Sequence, residues 1–109
     1  MDYTKKIAAK KQEAINELPD GRYLVGKVYS ECCNAAVGRS TFKVCHTLDA
    51  AEGEAVNLIG DYDLSRSRFW DDSFAETEGG DPALDAAIAD LQRLGRITLG
   101  DFEIILEVL

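Results

Sequence analysis

Hydrophobic and polar positions alternate with two different periods along this chain. Over residues 3–18, Ile7, Ala8, Lys11, Ala14, Ile15 and Leu18 share one side of a helical wheel, so residues 1–18 are expected to form an amphipathic N-terminal helix with a narrow apolar stripe. Pro19-Asp20-Gly21 ends it, because proline lacks the amide that a helix needs and Asp-Gly suits a turn. From Arg22 the period falls to two, and residues 22–64 read as a strand meander. In its first run Leu24, Gly26, Val28, Ser30 and Cys32 make an inward face, and Tyr23, Val25, Lys27, Tyr29 and Glu31 an outward one. After a loop over 34–38, Phe42, Val44, His46 and Leu48 continue the inward set, and Thr41, Lys43, Cys45 and Thr47 the outward set. A turn centred on Ala36 pairs Val28 with Val44, Ser30 with Phe42 and Leu24 with Leu48, and a slip of one residue would mismatch every side chain.

Ala50-Ala51-Glu52-Gly53 reads as a second turn, and Val56, Leu58, Gly60, Tyr62 and Leu64 as one side of a third strand. Residues 65–80 have no clear period and hold the only Trp; a loop of this length is usually functional or mobile. Residues 81–95 carry the clearest helix, with Asp81 as N-cap, Pro82 at the first helical position, a stripe of Leu84, Ala87, Ile88, Leu91 and Leu94, and Gly95 as the stop. Over 97–109 a final strand alternates Phe102, Ile104, Leu106 and Val108 with Glu103, Ile105, Glu107 and Leu109. This order predicts a mainly β, α+β domain: a small OB-like open barrel of about five antiparallel strands, one of them hidden in 65–80, with an N-terminal helix and one late helix.

Length and composition narrow the picture. A chain of 109 residues with 46% hydrophobic side chains builds one modest core, hence a single domain over 1–109. Neither a secretory leader nor a membrane span is legible, so the expected location is cytoplasmic. Cys32, Cys33 and Cys45 are an odd number with two adjacent, which favours reduced thiols. The net charge of -8 is unevenly spread: residues 1–46 carry eight Lys/Arg against five acids, and residues 47–109 four Arg against fifteen acids. Such polarity bears on partners and steering rather than on fold.

No catalytic constellation assembles from these residues, and the protein is read as a non-enzymatic binding protein without metal or cofactor. Adjacent Cys32 and Cys33 point to opposite faces of a strand, and Cys33 and Cys45 fall about 20 Å apart in the expected register, which disfavours a zinc site with Cys45 and His46. His46, on the inward face, reads as a packed histidine. Asp61, Asp63, Asp71 and Asp72 lack a dedicated cation loop and read as surface acids. More informative is the outward hairpin face, where Tyr23, Lys27, Tyr29 and Lys43 combine rings that stack bases with cations that track phosphates. Arg66, Arg68, Phe69 and Trp70 repeat that chemistry in the long loop.

The segments Leu18-Pro19-Asp20-Gly21-Arg22-Tyr23, Thr41-Phe42-Lys43-Val44, Asp61-Tyr62-Asp63-Leu64 and Ala86-Ala87-Ile88-Ala89-Asp90-Leu91-Gln92-Arg93-Leu94-Gly95 occur in an order that resembles phage-encoded single-stranded-DNA-binding proteins of OB type. The resemblance spans roughly residues 18–109 and implies a small phage or prophage protein that coats single strands in the host cytosol without a cofactor. The acidic second half supports another reading: an anti-CRISPR or anti-restriction inhibitor whose Asp61, Asp63, Asp71, Asp72, Glu76, Glu78 and Asp81 occupy phosphate sites of a basic host effector, steered there by charge. A third reading is a homodimeric structural module that buries the tyrosine face.

Overall fold

A computed structural model of the chain describes residues 3–29, 40–60, 62–76 and 81–109. Helix α1 (Tyr3–Glu17) leads into strand β1 (Tyr23–Tyr29), then β2 (Thr41–Cys45) and helix α2 (Leu48–Ile59). Two short 3-10 turns, Leu64–Arg66 and Asp72–Glu76, precede helix α3 (Pro82–Leu94), and the chain closes with β3 (Arg96–Leu99) and β4 (Phe102–Val108). The strands form one antiparallel sheet in the order β2-β1-β4-β3, so the first strand lies centrally and pairs with the last. The domain is therefore α+β with an open sheet of four strands and three helices among the described residues, where about five strands and two helices were expected.

The pairing of β1 with β2 keeps the expected parity but shifts by four residues. Leu24 faces Val44, Val25 faces Lys43 and Lys27 faces Thr41, so each β1 residue meets a β2 partner four positions earlier than a turn centred on Ala36 requires. A shift by an even number preserves which side chains share a face, which is why alternation alone could not detect it.

Both faces of the sheet are covered. On one, Leu24 and Val44 pack with Ala14 of α1, flanked by Ile15, Leu18 and Phe42. On the other, Val25, Ile97, Leu99, Phe102 and Ile104 meet Ala51, Ala55 and Ile59 of α2 and Ala83, Ala87 and Leu91 of α3. The second cluster is the larger, and it occupies the face that the alternation assigned to solvent.

The expected turn over 50–53 and the first part of the expected third strand, through Ile59, are helix α2 instead. Ala51, Ala55 and Ile59 bury one helical face, the Thr47 hydroxyl accepts from the Ala50 amide, and the Gly60 amide returns to the Val56 carbonyl. The alternating Val56, Leu58, Gly60, Tyr62 and Leu64 mimicked a strand, and Gly53 in mid-helix disguised the longer period. Helix α3 follows its sequence signals: the Asp81 carboxylate accepts from the Leu84 amide, and Gly95 takes the left-handed conformation (φ 79°) with its amide on the Leu91 carbonyl. The segment read as one final strand is a hairpin, β3 and β4 joined through Gly100-Asp101 with Leu99 facing Phe102. Residues 65–76 contain 3-10 turns, and no strand lies there.

Gly26 sits in the middle of the sheet because a Cβ there would collide with the Phe42 ring, which lies across it beneath α1. Gly26→Val is expected to destabilise the fold by about 1–3 kcal/mol through overpacking, seen as a lower urea midpoint at unchanged m-value. Asp81→Ala is expected to cost about 1 kcal/mol by uncapping α3, in the same measurement.

Candidate interaction surfaces

The residues proposed to hold nucleic acid do not form one open platform. Tyr23 and Tyr29 stand at opposite ends of β1, six residues or about 20 Å apart, and both are half-buried against the α2–α3 core. Lys27 is half-buried too: its Nζ lies 4.3 Å from the Phe102 ring centre and 5.2 Å from that of Tyr29. Tyr29 and Tyr62 each meet Phe102, at 6.1 and 5.4 Å, so Lys27 closes an aromatic cluster at one end of the sheet. Lys43 is exposed at the edge of the sheet and reaches Glu54 of α2 at 3.5 Å.

The second aromatic-basic set divides in the same way. Phe69 is buried in the core, and the Arg68 guanidinium lies 4.3 Å from its ring centre. Trp70 is half-buried and meets Phe74 edge-on at 5.9 Å. Arg66 is exposed beside Asp63 at 3.7 Å.

Asp90 of α3 clasps two arginines, with Arg68 Nη1 at 2.7 Å and Arg93 Nη2 at 2.8 Å. Their hydrogen bonds, Arg93 foremost, hold the Asp90 carboxyl below the usual carboxylate range. Four of the sequence-proposed acids are engaged locally or sit at element starts. Asp63 accepts from the hydroxyl and amide of Ser65, which lowers its pKa, and Asp71 accepts from the Ser73 amide at 2.9 Å, which lowers its own. Asp72 opens the second 3-10 turn and Asp81 caps α3. Asp61, Glu78 and the side chain of Glu76 lie outside the described residues, as do Cys32 and Cys33.

His46, expected to pack inward, is exposed where the chain bends out of β2. Cys45 is buried, and burial pushes its thiol pKa up, the reverse of what a nucleophilic cysteine needs. Among the described residues no group of three His, Cys, Asp or Glu side chains could hold a metal ion. No helix among them is long and apolar enough to cross a membrane.

Among the described residues a concave feature lies elsewhere, between the outer sides of α2 and α3. A groove of about 470 Å³ is lined by the apolar Val56, Leu84 and Ile88 and by the carboxylates of Asp49, Glu52 and Asp85. Gln92 donates a hydrogen bond to Glu52 across it, tying the two helices together. Reading α2 as a strand hid this groove. Thr47 ahead of an acidic first turn, with alanines at 51 and 55 and Ile59 four further on, was the signal that could have found it.

The sheet also divides the charge. Helix α1 carries Lys5, Lys6, Lys10 and Lys11 against Glu13 and Glu17, whereas α2 and α3 carry Asp49, Glu52, Glu54, Asp85 and Asp90 against Arg93 alone. Part of the basic layer is spent internally: Lys10 Nζ donates to the Ser40 carbonyl at 3.0 Å, and Lys11 Nζ lies 2.8 Å from Glu107. Comparison with protein-family models, curated proteins and solved structures returns no match.

Because the arginines bind the charged form of Asp90, the clasp supports the fold above about pH 4 and loses that contribution as pH falls through the lowered pKa. Carboxyl NMR is expected to find the Asp90 titration midpoint below that of a free aspartate. Arg93→Gln is expected to move it upward, and Arg68→Gln to move it upward by less.

Proposed function

We propose that the protein acts by binding, and that its acidic α2–α3 face meets a basic protein, of the kind presented by a nucleic-acid-handling host enzyme. The observation that carries this reading is the division of charge across the sheet: the exposed groove carries three carboxylates and no cation among its lining residues. The lysines and rings first proposed for nucleic acid are half-buried or engaged by neighbours. Relative to the acids first proposed, at residues 61–81, the surface moves to Asp49, Glu52 and Asp85. Complementary charge of this kind steers association and chooses partners more than it adds affinity.

The test is complex formation and inhibition against a panel of Cas nucleases and restriction endonucleases. A partner is expected whose affinity falls about tenfold or more between low and high salt, and similarly in Asp49→Lys/Asp85→Lys. A complex indifferent to salt and to both substitutions sinks the reading.

A second reading keeps the OB-like use of the sheet, with single-stranded nucleic acid held beside Lys27 and Tyr29. One observation favours it: a cation set over two rings, Phe102 and Tyr29, at one end of β1. Titration with labelled oligothymidylate at low salt, followed by Trp70 fluorescence, separates the two. The acidic-face reading expects no binding at tens of micromolar protein, and saturable quenching would favour the second.

A further inference from the structure

We infer that the α2–α3 groove seats a basic amphipathic helix of a partner protein, laid over Gly53; this rests on the reading of the acidic face as a protein-binding surface. Gly53 lies in the interior of α2, where glycine weakens a helix relative to alanine. Its φ is not positive, the positive-φ glycines among the described residues being Gly60, Gly95 and Gly100. Nothing lies within 4 Å of the position a Cβ would take. Neither backbone conformation nor internal packing therefore asks for glycine there. Its effect is on the outer surface, where together with Ala89 it keeps the groove open.

The occupant's form follows from the walls. Both are helices, whose mid-helix amides and carbonyls are already bonded within each helix. An extended segment laid between them would bury its own amides without partners, whereas a helix brings its hydrogen bonds with it. A third helix seats into the groove between two packed ones by ridge-and-groove contact, and small residues let it come close. The stretch from Asp49 to Val56 is about 10 Å long, two turns, which asks for apolar residues at i, i+3 or i+4, and i+7. Those meet Val56, Leu84 and Ile88, and flanking Lys or Arg meet Asp49 and Asp85, while Glu52 is already held by Gln92. The chain's own basic helix is not the occupant, since the apolar stripe of α1 is seated on the sheet through Ala14, Ile15 and Leu18.

The experiment uses the full chain and two fluorescent peptides of about 18 residues with one Leu/Lys/Ala composition. One has leucines at helical spacing; the other has them rearranged to alternate with lysine. Anisotropy is expected to find the helical peptide bound about tenfold or more tightly than its rearranged twin. Gly53→Gln is expected to raise the melting temperature while weakening the helical peptide about tenfold, so the loss is not a folding defect. Asp85→Lys is expected to weaken both peptides. Equal binding of the two peptides overturns the helix while leaving the acidic-face reading intact. Binding of neither at about 100 µM overturns both. Unchanged binding in Gly53→Gln overturns the placement over Gly53, and a concentration-dependent doubling of mass that Gly53→Gln abolishes overturns it by assigning the groove to a second copy.

Discussion

Strand β1 must be buried on both sides, and the rest of the structure follows from that requirement. Leu24 and Val25 are neighbours in sequence and project to opposite faces of the sheet, yet both are fully buried. A strand flanked by β2 and β4 with apolar side chains on each face needs a layer above and a layer below. Helix α1 supplies one layer through Ala14, Ile15 and Leu18. Helices α2 and α3 supply the other, and between them cover all four strands. Fully burying a leucine or valine stabilises by about 1.5–3 kcal/mol, so leaving either face open would forfeit a large part of what holds a small domain together.

The same requirement decides where the charge goes. Each covering helix turns its apolar side to the sheet and its polar side to water, and the polar sides differ in sign. The lysine-rich first helix lies on one face and the acid-rich pair on the other, so a gradient along the sequence becomes a dipole across the sheet. The groove between α2 and α3 inherits the acidic side. Its carboxylates sit beside apolar surface, and the partner proposed for it is accordingly basic and amphipathic.

The local signals that proved legible were those whose physics is local. Asp81, Pro82 and Gly95 cap and stop α3 by hydrogen bonds and backbone conformation within a few residues, and those positions can be read off the chain. The end of α1 before Pro19 is of the same kind. Helix α2 was misread because Gly53 interrupts its propensity and because an alternating set from Val56 to Leu64 imitates a strand. The packing of Ala51, Ala55 and Ile59 on the sheet resolves the ambiguity. The candidate surface was lost with it, since Asp49, Glu52 and Asp85 come together only when α2 is a helix lying beside α3.

What the sequence determined by itself was the presence of two capped or punctuated helices, the parity of β1 and β2, and the segregation of charge, because each depends on contacts between near neighbours or on counting. What the tertiary structure alone decided was the four-residue shift of the hairpin, the central place of β1 beside β4, and the fate of the tyrosine face. Alternation reports that the two sides of a strand differ, and it cannot report that both will be covered. That outcome depends on α2 and α3 reaching back across the sheet, and so Tyr23, Lys27 and Tyr29, which alternation left facing water, lie half-buried against the main core.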